Sequence, residues 1–185
     1  MKKCFLMIVV ALMAMNVSAQ NGFGLMAGVN SSTSSTKDVG WSTGGFVGAL
    51  YDIQLSGNLF LQPRLVLSYQ ENESKDKTWW YSQWAATLPV LASWHIGLSD
   101  KLGLNLNAGP YLRYAAFGRD RYQGGALGWW HGSMGERLHM GVQVGAQVTF
   151  GKCFATFDFK HALKRSFLNV GGFENTVQVG VGYKF

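Results

Sequence analysis

The last eleven residues, Asn175 to Phe185, read N-T-V-Q-V-G-V-G-Y-K-F and alternate without a break. Val177, Val179, Val181, Tyr183 and Phe185 fall on one side of an extended chain, and Thr176, Gln178, Gly180, Gly182 and Lys184 on the other. Period two is the spacing of a strand with one apolar and one polar face. A strand that turns its apolar face outward and stops on an aromatic residue at a membrane interface has this form.

Seven more segments repeat the pattern. With the last they begin at about Phe23, Trp41, Leu59, Trp79, Leu102, Arg137, Cys153 and Asn175. In the clearest, Leu138, Met140, Val142, Val144, Ala146, Val148 and Phe150 oppose His139, Gly141, Gln143, Gly145, Gln147 and Thr149. Leu102 to Tyr114 and Leu59 to Gln70 read the same way, whereas Trp41 to Leu55 is ambiguous, because Phe46 and Leu50 share a face with Gly44 and Asp52. Tight turns are expected at Ser56-Gly57-Asn58, from Gly97 to Lys101, and at Gly151-Lys152. Long joints are expected from Ser31 to Gly40, Glu71 to Thr78, Ala116 to Glu136 and Lys164 to Glu174. Strict alternation of short and long joints predicts an all-β fold: an eight-stranded antiparallel up-and-down transmembrane β-barrel with both termini periplasmic.

The N-terminus reads as a leader. Lys2 and Lys3 precede an apolar run from Cys4 to Met15, and Val17-Ser18-Ala19 supplies small residues for cleavage. These are the parts of a secretory signal peptide, and the run is shorter than the roughly 20 residues of a spanning helix. Residues 1–19 are therefore expected to be removed, leaving 20–185 as one domain. Without Lys2 and Lys3 the formal charge falls from +6 to +4, too small and too scattered to suggest nucleic acid. Cys4 leaves with the leader, so Cys153 has no intrachain partner, and a disulfide-stapled fold is excluded.

Which face points inward separates a soluble barrel from a membrane one. Gly141, Gln143, Gly145, Gln147 and Thr149 form a polar face with no charge, unlike a solvated strand. The 24 glycines of 185 residues exceed the usual ~7 %, and small residues suit a packed lumen. Aromatics gather at strand ends: Phe23, Trp94, Phe150, Tyr183 and Phe185 near the turns, and Tyr69, Trp80, Trp84 and Tyr114 near the loops. Two such girdles mark two membrane interfaces. About ten residues at ~3.3 Å each, tilted near ~40°, rise roughly 25 Å, the height of the apolar band. The apolar faces are thus expected to meet lipid.

Four motifs add a resemblance. Leu61-Gln62-Pro63-Arg64-Leu65-Val66-Leu67-Ser68-Tyr69, Leu88-Pro89-Val90-Leu91, Asn107-Ala108-Gly109-Pro110-Tyr111-Leu112 and Gly180-Val181-Gly182-Tyr183-Lys184-Phe185 resemble the third, fourth, fifth and final strands of the PorT-like small outer-membrane β-barrel family, common in Bacteroidota. The resemblance spans the chain after the leader. It implies a Gram-negative outer-membrane location, and for some relatives an accessory role in a secretion machine. Two family glutamates are replaced, by Arg64 and Thr87, so an inward acidic pair is absent here.

Strand phase sends Arg64, Arg113, Asp158, Lys160 and Lys184 inward, with His95 and His139. Eight strands leave a lumen just wide enough for side chains, so these charges must pair or bond. A polar plug joining Arg64 and Arg113 to Asp158 is expected, with a narrow anion path as the alternative. Phe117, Arg119, Arg121, Tyr122, Trp129 and Trp130 form a candidate interaction patch in the longest outer loop, since aromatics and arginine anchor interfaces. The patch would touch lipopolysaccharide head groups or a protein or glycan partner. His131 and Ser133 lie beside it, but no acidic partner is placed near them, so a lipid hydrolase is the weaker reading and no catalytic site is expected. No metal spacing or phosphate loop appears, and no cofactor is expected. Tyr183 and Phe185 are expected to signal insertion to the barrel-assembly machinery.

Overall fold

The computed structural model describes residues 22–34, 41–73, 79–122, 128–129, 137–163 and 174–185. The expected leader, residues 1–19, lies outside them. Nine strands follow one another: β1 (Gly22–Ser34), β2 (Ser42–Ser56), β3 (Leu59–Glu73), β4 (Trp79–Gly97), β5 (Leu102–Tyr122), β6 (Gly128–Trp129), β7 (Leu138–Phe150), β8 (Cys153–Ala162) and β9 (Glu174–Lys184). Each wall strand pairs antiparallel with its neighbour, and β5 pairs with both β4 and β7. The last strand meets the first from Gly24↔Lys184 to Ser34↔Glu174, which closes the wall. Eight strands therefore make the barrel, and the two-residue β6 only flanks β5 at Arg119 and Asp120.

Closure leaves no free edge along the paired length, so every ladder amide has a partner there without water. Gly57 at φ 50° and Gly151 at φ 57° open two of the tight turns, in the left-handed region that primed hairpin turns require. The outer wall is apolar. Leu25, Val47, Leu67, Leu106, Val144, Val148, Phe157 and Val181 are among its exposed side chains, while Gln62, Ser93, Gln143 and Gln147 are almost wholly enclosed.

Three expectations need correction. The fifth strand does not end at Tyr114: β5 continues to Tyr122 and pairs with β4 out to Trp79↔Tyr122. An irregularity between Trp84 and Ala85 matches them to Phe117 and Ala115, so Ala116 is an extra residue that resets the alternation. The ambiguous β2 is settled with Phe46, Leu50 and Asp52 inside. Finally, the lumen is not polar throughout, since Met26, Phe46, Leu50, Val66 and Phe154 form an enclosed apolar cluster. Glycine makes room for it. A Cβ on Gly180 would stand 2.7 Å from Phe46 Cζ, and one on Gly182 2.2 Å from Phe154 Cζ.

Candidate functional site

The lumen holds the charged residues. Their positions follow from strand phase: β3 turns Gln62 and Arg64 inward, β8 turns Thr156, Asp158 and Lys160 inward, and β2 contributes Asp52. Arg64 Nη1 donates to Asp158 Oδ2 across 2.9 Å, joining opposite parts of the wall, with side-chain exposures of 1 % and 2 %. Thr156 Oγ1 donates to the same oxygen at 2.6 Å. Arg64 Nε donates to Gln62 Oε1 at 2.8 Å, and Gln62 Nε2 to Asp52 Oδ1 at 2.5 Å. Asp52 also accepts from Lys184. One chain of bonds thus crosses the lumen through four strands. Beside it His95 stacks on Phe60, ring centroids 3.9 Å apart.

Asp158 owes its place to a missing side chain. A Cβ on the facing Gly145 would fall 2.2 Å from Asp158 Oδ1. Placing two charges in so dry a position is stabilising only if their geometry and remaining bonds are good. The Thr156 hydroxyl and the Gln62 amide supply two of those bonds, while Arg64 Nη2 and Asp158 Oδ1 are enclosed without a hydrogen-bond partner among the described residues.

A second tier lies toward the loop end. Arg113 Nη2 donates to Gln70 Oε1 at 2.5 Å and to Gln83 Oε1 at 3.0 Å. Gln70 Nε2 donates to Ser32 Oγ at 2.5 Å, and Ser32 and Thr176 share a hydrogen bond of 2.7 Å. Lys160 Nζ stands 6.0 Å from the Tyr111 ring centroid, within cation–π range. The sequence identified the charged members of both tiers except Asp52, whose strand had no clear phase, and it did not identify the glutamines that bridge the charges. Gln62 and Gln70, inward on β3 and in phase with Arg64, were the available signal.

The proposed loop patch is only partly described. Phe117 and Arg119 stand exposed on the outward face of β5, and Arg121 and Tyr122 continue that strand rather than a loop. Trp129 belongs to β6, its side chain outside the described residues, and Trp130, His131 and Ser133 lie outside them altogether. At the loop end Tyr69 and Trp84 pack with ring centroids 5.0 Å apart. At the turn end Phe23, Tyr183 and Phe185 are in contact, and the Phe185 amide donates to the Phe23 carbonyl at 2.9 Å. His161 bonds Asn175 at 2.7 Å, and no metal-binding group of side chains gathers among the described residues.

The family model for the outer membrane protein beta-barrel domain matches residues 4–185. No curated protein matches the chain in a sequence search. Neisserial surface protein A is similar in structure, with a TM-score of 0.58 and 13 % identity over 88 % of this chain and 97 % of that one. The attachment invasion locus protein of Yersinia pestis superposes with a TM-score of 0.50 at 10 % identity, over 89 % and 99 % of the two chains. At such identities the likeness concerns the fold.

Proposed function

The chain belongs to the outer membrane protein beta-barrel domain family, and on that premise we propose that it is a closed, non-conducting barrel whose work is done at its loop end, toward protein or glycan partners. It is a small protein of the outer membrane. The observation that carries the closed reading is the bonded chain from Lys184 through Asp52, Gln62 and Arg64 to Asp158, whose last link joins opposite walls of the lumen. The space left in the loop-end tier is a cavity of only about 10 Å³, about one water-sized sphere. Planar-bilayer recording of the purified protein is expected to show silence. Steady unitary conductance would overturn this in favour of the narrow anion path.

In this reading the leader directs export, the short turns and both termini face the periplasm, and the outward aromatics rest among lipid and lipopolysaccharide head groups. Tyr183 and Phe185 serve insertion. The motifs around Arg64, Gly109 and Tyr183 support a PorT-like, Bacteroidota origin, and an accessory place in a secretion system is the second role that origin suggests. For the loop end, the extended β5 limits the exchange that tests it. Replacing residues 123–127 and 130–136 with Gly/Ser sequence is expected to leave the heat-modifiable gel shift of the folded barrel intact. Capture of outer-membrane or surface partners from intact cells is expected to fall to background. Undiminished capture would move the binding surface elsewhere.

A further inference from the structure

On the outer wall Leu88 of β4 pairs with Leu112 of β5, and both stand exposed beside Leu65 of β3. Nearer the loop end the wall dips. Leu67 there pairs with Ala86, and the irregularity beside Trp84 adds Ala116 as an extra small residue. Beyond them Trp84 pairs with Phe117, and both rings stand out again, 53 % and 66 % exposed. The change from large to small to large leaves a recess of about 360 Å³, lined by Leu67, Trp84, Ala85, Ala86, Ala116 and Phe117. That volume lies within the ~300–1,000 Å³ of small-molecule sites, and the lining is hydrophobic.

We propose that this recess binds one acyl chain of a membrane lipid, held in place rather than exchanging freely with the surrounding bilayer. Position and chemistry choose the occupant. The recess lies on the turn side of Tyr69 and Trp84, whose rings pack 5.0 Å apart at the level of the interfacial aromatics. It is continuous with the apolar face that an outer-membrane barrel turns to lipid. A peptide seated there would bring backbone N–H and C=O groups against a hydrophobic lining that satisfies none of them. An acyl chain carries no such groups, and it restores the dispersion contacts that the lining side chains would otherwise lose. The inference rests on the lipid-facing wall, and it is independent of conduction and of what the loop end recognises.

The full chain, crystallised from bicelles of phosphatidylcholine brominated on its acyl chains, is expected to give an ordered anomalous peak between Trp84 and Phe117. After transfer to detergent, native mass spectrometry is expected to show one retained molecule of the same lipid per barrel. Ala86→Phe fills the recess from β4. It is expected to keep the heat-modifiable gel shift of the folded barrel and to lose both signals. Ala116→Leu fills the recess from β5 and should do the same. Four results would each overturn the proposal: no bromine in the recess, no retained lipid, a side chain of a neighbouring copy seated there instead, or both signals undiminished in either folded variant. Planar-bilayer conductance bears on none of these, so this inference and the closed-barrel reading fail separately.

Discussion

Asp158→Asn lowers the unfolding free energy of the refolded barrel by roughly 3–5 kcal/mol, the range found when one partner of an enclosed ion pair is removed. Asparagine keeps the shape of the side chain, so the loss is one of charge. Arg64, 3 % exposed and held between Gln62 and Asp158, would be left as a cation without its counter-ion. The measurement is the urea midpoint of the variant in lipid or detergent. Pairing it with Arg64→Met should restore most of the loss, because two apolar or neutral groups of similar volume need no neutralisation. A midpoint equal to that of the parent protein would show that the crossing bond is not part of what holds the barrel together.

Val144→Arg is expected to cost about 2–4 kcal/mol, and Phe150→Arg no more than about 1 kcal/mol. Both residues stand on the exposed face of β7, Val144 at the centre of Leu138–Phe150 and Phe150 at its end. The contrast separates lipid from water as the medium around the wall. A solvated wall would accept arginine equally well at both positions, whereas hydrocarbon penalises it steeply at mid-depth and little at the interface. Equal midpoints for the two variants would mean that the apolar face does not lie in a bilayer.

Much of the architecture was legible because the barrel's two solvents differ so sharply. Where a strand crosses hydrocarbon, outward positions must be apolar, and period two shows through, as in β7 and β9. The readable signal stopped where that constraint stopped. Beyond Tyr114 the chain Ala115-Ala116-Phe117-Gly118-Arg119-Asp120-Arg121-Tyr122 no longer alternates, partly because Ala116 shifts the phase and partly because no lipid selects its outward side chains. A strand thus passed for a loop. In β2 the obstacle was the reverse, since Phe46 and Leu50 are apolar residues facing in, opposite lumen glycines that leave them space. Apart from Asp52, the charges of the site could be assigned to the lumen one by one. Their pairing could not, because Arg64 and Asp158 are 94 positions apart and meet only once the wall closes.

The uneven height of the wall carries a last consequence. β7 begins opposite Tyr114, so the eight residues 115–122 of β5 run on past it, about 20 Å at ~3.3 Å per residue and ~40° tilt. One flank of this stretch is paired with β4, and on the other, among the described residues, only β6 borders it, at Arg119 and Asp120. A bare strand flank invites copies of the same molecule to zip together, and charge is a common deterrent. Arg119, Asp120 and Arg121 belong to that stretch, and charge there would let β4 and β5 run on past β7 without gluing neighbouring molecules into a sheet.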